Sequence, residues 1–303
     1  MKNFILTLSL LAISYALFAQ QTVQERLGYP KNTKLLIIHA DDLGVAHSEN
    51  LASFKAMENG VVNSASIMMP CPWVPEVADY ARQHPQADFG LHLTITSEWK
   101  HYKWGPLLQN EVKSLLTDQG YLTDGSVNLA ETAKVEEVEK ELRAQIELAK
   151  QMGIDITHLD SHMGMLFASP ALLQTYIKLG RELKVPVLLL NNPGLMNLTN
   201  LLTEKDVVAD RIHILSPPDF AKGSKNFYTN VLNNLMSGLN VILLHAAFDD
   251  SEMQAVTVDH PDYGAAWRQA DYDFFTSEEC KNLIRDNNIQ LVTWRAIRDK
   301  LLR

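Results

Sequence analysis

Four stretches of this 303-residue chain run from apolar residues straight into side chains that bind cations or move protons. Leu35–Ile38 leads into His39-Ala40-Asp41-Asp42-Leu43-Gly44, and Phe89-Gly90-Leu91 leads into His92-Leu93-Thr94. Further on, Thr157-His158-Leu159-Asp160-Ser161-His162 closes a third run, and Leu243-Leu244-His245 a fourth. Each has a structural reading when taken alone. An aspartate pair can cap the next helix, a histidine between leucines can sit in a core bonded to a carbonyl, and Asp249 and Asp250 read as a solvated loop. The His158-Asp160-His162 series resists that reading, because alternate residues of an extended strand share one face. Imidazoles and carboxylates gathered in one place are a donor set for a divalent ion with positions left for water and substrate. Imidazoles favour zinc, whereas carboxylate and water admit magnesium or manganese. Asp160 or a neighbour would then hold the far nitrogen of a ligating histidine.

Bringing those residues together requires elements whose ends coincide. Short β-rich apolar runs alternate with amphipathic helical stretches, the pattern of βα units around a parallel sheet. Candidate strands are Lys34–Ala40, Val61–Met69, Asp88–Ile95, Ile154–Asp160, Val185–Asn191, Arg211–Leu215, Asn240–Ala246 and Ile289–Thr293. Eight strands predict an α/β fold closed into a (β/α) barrel in preference to an open doubly wound sheet, and such a barrel carries its chemistry at the carboxyl ends of its strands. Ser48 is the expected cap of a helix ending at Gly60, Gly153 terminates a helix over Glu131–Met152, and Thr276–Glu279 reads as a capping box. The segment Ser97–Thr132, with Trp99, Tyr102 and Trp104, is too long for a simple βα loop and is a candidate functional insertion. Its aromatics are candidates for stacking on sugar rings.

The first residues, MKNFILTLSLLAISYALFAQ, have the layout of a secretory signal peptide, placed over residues 1–19, with residues 20–303 as one domain. That predicts export to a periplasmic or extracellular location, and no other segment is long and apolar enough to span a membrane. The net charge of −9 becomes −10 once Lys2 leaves with the leader, which disfavours nucleic acid and anionic membranes as partners. Two cysteines, Cys71 and Cys280, are too few for a disulfide framework, though one bridge between them is open. Oligomeric state leaves no mark in the sequence.

With these motifs in view, the chain resembles the YdjC-like carbohydrate deacetylases, the group that includes chitooligosaccharide and hopanoid-associated deacetylases. The resemblance runs from about Lys34 to Arg298 and rests on the order of ADDLG at Ala40–Gly44, FGLHLT at Phe89–Thr94, the PLL…SLLTDQGYL of Pro106–Leu122, THLDSH at Thr157–His162, LLH at Leu243–His245 and the ending HPDYGAAWRQADYDFF…LVTWRAIRD. It implies a distorted, TIM-like (β/α) barrel related to the polysaccharide deacetylases, holding one divalent metal ion, zinc or magnesium. Asp42, His92 and His162 carry over as metal ligands, Asp41 as catalytic base and His245 as the acid. His39, His158, Asp160 and Trp104 are left as supporting or substrate-contacting residues. The implied activity is hydrolysis of N-acetyl groups on amino sugars or short oligosaccharides, with an N-acetylated carbohydrate as the partner. A different metal hydrolase on the same scaffold and a binding protein without catalysis are the rivals, and Asp41 speaks against the second because a binding protein has no use for a base. An acid must begin protonated, so a carboxylate near His245 is expected, with Asp249 a candidate. Two departures alter the pocket: Met163-Gly164-Met165 follows the DSH motif where further histidines are common, and Ala246-Ala247-Phe248 follows His245 in place of Pro-Gly.

Overall fold

A computed structural model describes residues 21–125, 128–190 and 201–303; residues 1–19, where a signal peptide is expected, lie outside that range. Among the described residues seven strands form one parallel sheet: β1 (Lys34–Leu43), β2 (Ser64–Ile67), β3 (Phe89–Leu93), β4 (Ile156–Ser161), β5 (Arg211–Ile214), β6 (Gly238–Leu244) and β7 (Ile289–Leu291). The order is β4-β3-β2-β1-β6-β5, with β7 added to β1. The expected parallel α/β architecture is therefore present. The candidate strand Val185–Asn191 is reduced, within the described residues, to isolated bridges of Val187 to Leu159 and of Leu190 to Ala209. No continuous ladder among the described residues joins β4 to β5, so what they form of the expected barrel is a parallel sheet.

Central β1 has two partners on one edge. β6 pairs with Lys34–Ala40 along one side, while the other side is shared between β7, opposite Lys34–Leu36, and β2, from His39 onward. Asn63 fills the fork: its Oδ1 accepts from Ile38 N at 2.8 Å and its Nδ2 donates to Val292 O at 3.1 Å. Because side chains alternate along a strand, β1 sends Leu36, Ile38 and Ala40 into the larger core under the helices. Leu35 and Ile37 enter a smaller core with Leu239, Val241, Trp294 and Ile297. His39 and Asp41 continue the Leu35–Ile37 face, which is how an apolar strand delivers polar groups without changing its period.

Several ends differ from expectation for local reasons. The helix His47–Asn59 begins after Ala46, ahead of Ser48, whose hydroxyl donates instead to Phe248 O at 3.0 Å. The last long helix, Glu278–Asp286, is capped by Ser277 accepting from Cys280 N at 3.1 Å, while Thr276 closes the preceding helix. The insertion is pinned by carboxylates of the helix Val135–Gln151: Glu141 accepts from Leu107 N and Leu108 N, each at 3.0 Å, and Glu137 from Ser114 N at 2.7 Å. Cys71 and Cys280 are both free and buried. Among the described residues no helix is long and apolar enough to cross a membrane.

Candidate functional site

In a regular strand Asp41 and Asp42 would face opposite sides of the sheet. Register between β1 and β2 shifts between Ala40 and Leu43, and Asp42 adopts φ 68°, in the left-handed region that aspartate tolerates better than most residues. This bulge re-aims the second carboxylate, so both aspartates reach one site. Gly44, at φ 94°, completes the turn; a Cβ there would stand 2.7 Å from Val74 Cγ2.

Asp42 Oδ1 is buried without a hydrogen bond and faces His92 Nε2 at 3.4 Å and His162 Nδ1 at 3.5 Å. These residues each offer a ligand atom, and the three atoms lie within 4.8 Å of one another. Atoms held about 2.0–2.2 Å from a common ion stand roughly 3–3.5 Å apart, so the orphaned oxygen and its two imidazole neighbours suit a divalent cation. The far nitrogens are held as such a centre requires: His92 Nδ1 by Asp160 Oδ1 at 2.6 Å, and His162 Nε2 by Glu98 Oε2 at 3.0 Å. Burial works against charge on Asp42, but the Arg268 guanidinium, 2.8 Å from Oδ2, holds the carboxyl well below its usual range. Burial likewise opposes protonation of His162, yet Glu98 and Asp42 push it up to about 10. A ligating imidazole must be neutral, so an ion bound here displaces that proton.

Asp41 stands beside this cluster, with Oδ1 3.1 Å from His39 Nε2 and Oδ2 3.9 Å from His245 Nε2. His39 also meets Asp160 Oδ2 at 2.8 Å, and its Nδ1 meets Ser64 Oγ at 2.9 Å. Burial alone would lower its pKa, but Asp160 and Asp41 overrule it and raise the ring to about 10. A cationic His39 thus lies beneath the site and links Asp41 to the carboxylate that orients His92. His158 is removed from the cluster of Asp42, His92 and His162. Its ring lies 4.9 Å from His39 and 5.5 Å from Trp294, its Nδ1 meets Thr157 Oγ1 at 2.9 Å, and burial with the nearby His39 charge holds it well below its ordinary pKa.

Two expectations are corrected. Asp249 is exposed and bonds to Gln254 and Gln269, and the carboxylates that act on His245 are Asp42 and Asp41. Burial pushes His245 down to about 4, with Arg268 adding to the effect and Asp42 opposing it, so the ring is neutral at pH 7. Trp104 is buried, donates Nε1–H to Thr96 O at 2.7 Å and backs His162 from 6.1 Å, which leaves no open face for a sugar. Tyr102 is likewise tied down, donating to Val45 O at 2.6 Å, whereas Trp99 lines the cavity.

Glu98 and Arg268 belong to the site although neither was singled out from the sequence. Arg268 is buried and donates to Asp42, to Glu49 at 2.5 Å and to Tyr263 O at 2.7 Å. The remaining signals were slight: Glu98 directly follows Ser97 at the start of the insertion, and Arg268 is a cation just after the apolar stretch Gly264-Ala265-Ala266-Trp267. The cluster opens into a cavity of about 430 Å³ walled by Trp99, Met163, His260, Asp262 and Tyr263, and a second of about 330 Å³ adjoins it at Asp41 and His92.

A family model described as YdjC-like protein matches residues 35–286. A carbohydrate deacetylase of Thermus thermophilus is 31% identical over 286 residues, covering 91% of this chain and 98% of its own. A carbohydrate deacetylase of Brevibacillus brevis is 31% identical over 272 residues, covering 86% and 99%. The crystal structure of an Enterococcus faecalis protein described as a "putative cellobiose-phosphate cleavage protein" superposes with a TM-score of 0.75 at 25% identity, covering 88% of this chain and 99% of that one.

Proposed function

The chain belongs to the YdjC-like family, and on that premise we propose that it is an exported, metal-dependent hydrolase that removes N-acetyl groups from amino sugars or short N-acetylated oligosaccharides. The observation that carries this reading is the convergence of Asp42 Oδ1, His92 Nε2 and His162 Nδ1 beside the second carboxylate of Asp41. Those three residues would hold one zinc or magnesium ion, which when bound supplies a Lewis acid for the acyl oxygen and acidifies a water. An amide is a weak electrophile with a poor leaving group, so the protein must also move protons. Asp41 takes the proton of the attacking water, with cationic His39 keeping its Oδ1 fixed. His245 begins neutral, so the proton it passes to the departing nitrogen is gained within the cycle, from the side where Asp41 stands 3.9 Å away. Arg268 and Glu98 take no proton; they hold Asp42 and His162 in place. We read the bridges at Val187 and Leu190 as the remnant of barrel closure, consistent with strand ends that gather around one mouth.

The test is acetate release from a panel of N-acetylated mono- and oligosaccharides by mature protein, stripped of metal and then resupplied with zinc or magnesium. Turnover is expected only after resupply, and Asp41→Asn should lower it about 10²- to 10⁴-fold with metal content retained. Acetate release from none of the panel, at full metal occupancy, would sink the reading.

A further inference from the structure

The two lobes that meet at Asp41 and His92 differ in chemistry. One is bounded by Trp99, His260, Asp262, Tyr263 and Arg268, which offer hydrogen-bonding groups, together with Met163 and Pro217, and it shares Ile214 and Leu243 with the other. The other is bounded by Phe167, Leu188, Ile212, Ile214 and Leu243, with polar groups confined to the end where Asp41, His92, Asp160 and Ser161 stand. This division follows from the strands. Toward their carboxyl ends β1 to β4 contribute His39, Asp41, Ser64, Ser66, His92 and Asp160 to the interior, whereas β5 and β6 contribute Ile212, Ile214 and Leu243. Ile214 ends β5 with 46% of its surface exposed, an apolar side chain turned to a cavity. Soluble chains seldom leave an apolar surface open beside reactive groups unless a ligand covers it.

Size decides what that ligand is. A cavity of about 150 Å³ holds a benzene, while this lobe measures about 330 Å³. An acetyl methyl would leave most of it empty, and beyond the end at Asp41, His92, Asp160 and Ser161 its described lining is apolar. A substrate that fits both lobes has a polar arm and an apolar arm joined by an amide at Asp41. We propose that the apolar lobe is an acyl-chain pocket and that the site accepts N-acyl amino sugars with straight chains longer than acetyl, near hexanoyl in length. This rests on the deacylase reading above. The reaction is hydrolysis throughout: the water oxygen bonds to the acyl carbon, the carbon–nitrogen bond breaks, one water proton goes to the nitrogen, and the products are a short fatty carboxylate and the free amine.

The experiment compares N-acetyl-, N-butyryl- and N-hexanoylglucosamine with metal-loaded protein, together with calorimetric binding of acetate and hexanoate. Burying each methylene is worth about two- to fourfold, so kcat/KM for the hexanoyl compound should exceed that for acetyl at least about tenfold, and hexanoate should bind at least about tenfold more tightly than acetate. Ile212→Trp fills the lobe and should cut the hexanoyl-to-acetyl ratio about tenfold or more; if that variant does not fold, Ile214→Trp, at a half-exposed position, makes the same test. Acetyl turnover without hexanoyl turnover, or an unchanged ratio in the folded variant, overturns the acyl pocket and leaves the deacetylase reading standing. Loss of all turnover overturns the deacetylase reading, and equal binding of acetate and hexanoate then overturns the pocket as well.

Discussion

Asp41 and Asp42 are neighbours in the chain but answer to different charges, Asp41 to His39 and Asp42 to Arg268. That division rests on residues around them, and two can be tested directly. Glu98→Gln keeps the shape of the side chain while removing the charge that fixes His162, so metal affinity is expected to fall about 10- to 100-fold by competition with a chelator. For His39, the folded pKa is raised from 6.5 to about 10. The folded state therefore holds this proton more tightly than the unfolded one, and the stability gained is complete below pH 6.5 and lost as pH rises through 10. Denaturant midpoints of wild type and His39→Gln should consequently differ most at or below pH 6.5 and converge toward pH 10. At this scale the sequence exposed the residues that interrupt apolar strands: Asp41, Asp42, His92, His162 and His245 all mark strand ends, and the structure brings all five to one place. Glu98 and Arg268 stayed hidden because neither interrupts a period. Glu98 lies in irregular chain, and the burial of Arg268 depends on Glu49, 219 residues away. The neutral state of His245 was hidden too, since charge can be counted in a sequence but burial cannot.

Among the elements, the contact of β3 with β4 leaves the least room. Gly90 lies against the ring of His158, and a Cβ at that position would overlap the imidazole. Displacing the ring pushes on His39 and Trp294, which it touches on either side. Gly90→Ala is therefore expected to cost roughly 1–3 kcal/mol of stability, measured by chemical denaturation, and to lower turnover through His39. The short strands were legible where apolar runs were bounded by polar residues, as in β1, β3, β4 and β6. Over Val185–Leu190, the described part of the candidate Val185–Asn191, only isolated bridges form, because apolar composition marks a buried extended segment without saying how many backbone bonds it makes. The bulge at Asp42 was equally invisible, since it depends on the register of β2, and the motif Asp-Asp-Leu-Gly reads the same with or without it.

For the molecule as a whole, a bound ion would couple the strand ends to global stability. An ion present at about 100 times its Kd adds roughly 2.7 kcal/mol, so chelation is expected to lower Tm by roughly 5–10 °C in a scanning fluorimeter, with recovery on adding zinc or magnesium back. The net charge of −9 keeps the surface acidic overall, and the cations that matter are the few drawn inside. The forked edge of β1 has a further meaning for how the chain is made. β1 emerges early in synthesis, yet β6 and β7 supply its partners from Gly238 and Ile289 onward, and Arg268 reaches Asp42 across 226 residues. Until those segments arrive, β1 is an apolar strand with a bare edge, the state most prone to pairing with the wrong chain. A fragment ending before Arg268 would keep the Ala-Asp-Asp-Leu-Gly signature intact and still lack the counterion of Asp42, so the motif attests to a working centre only when the far end of the chain has come home.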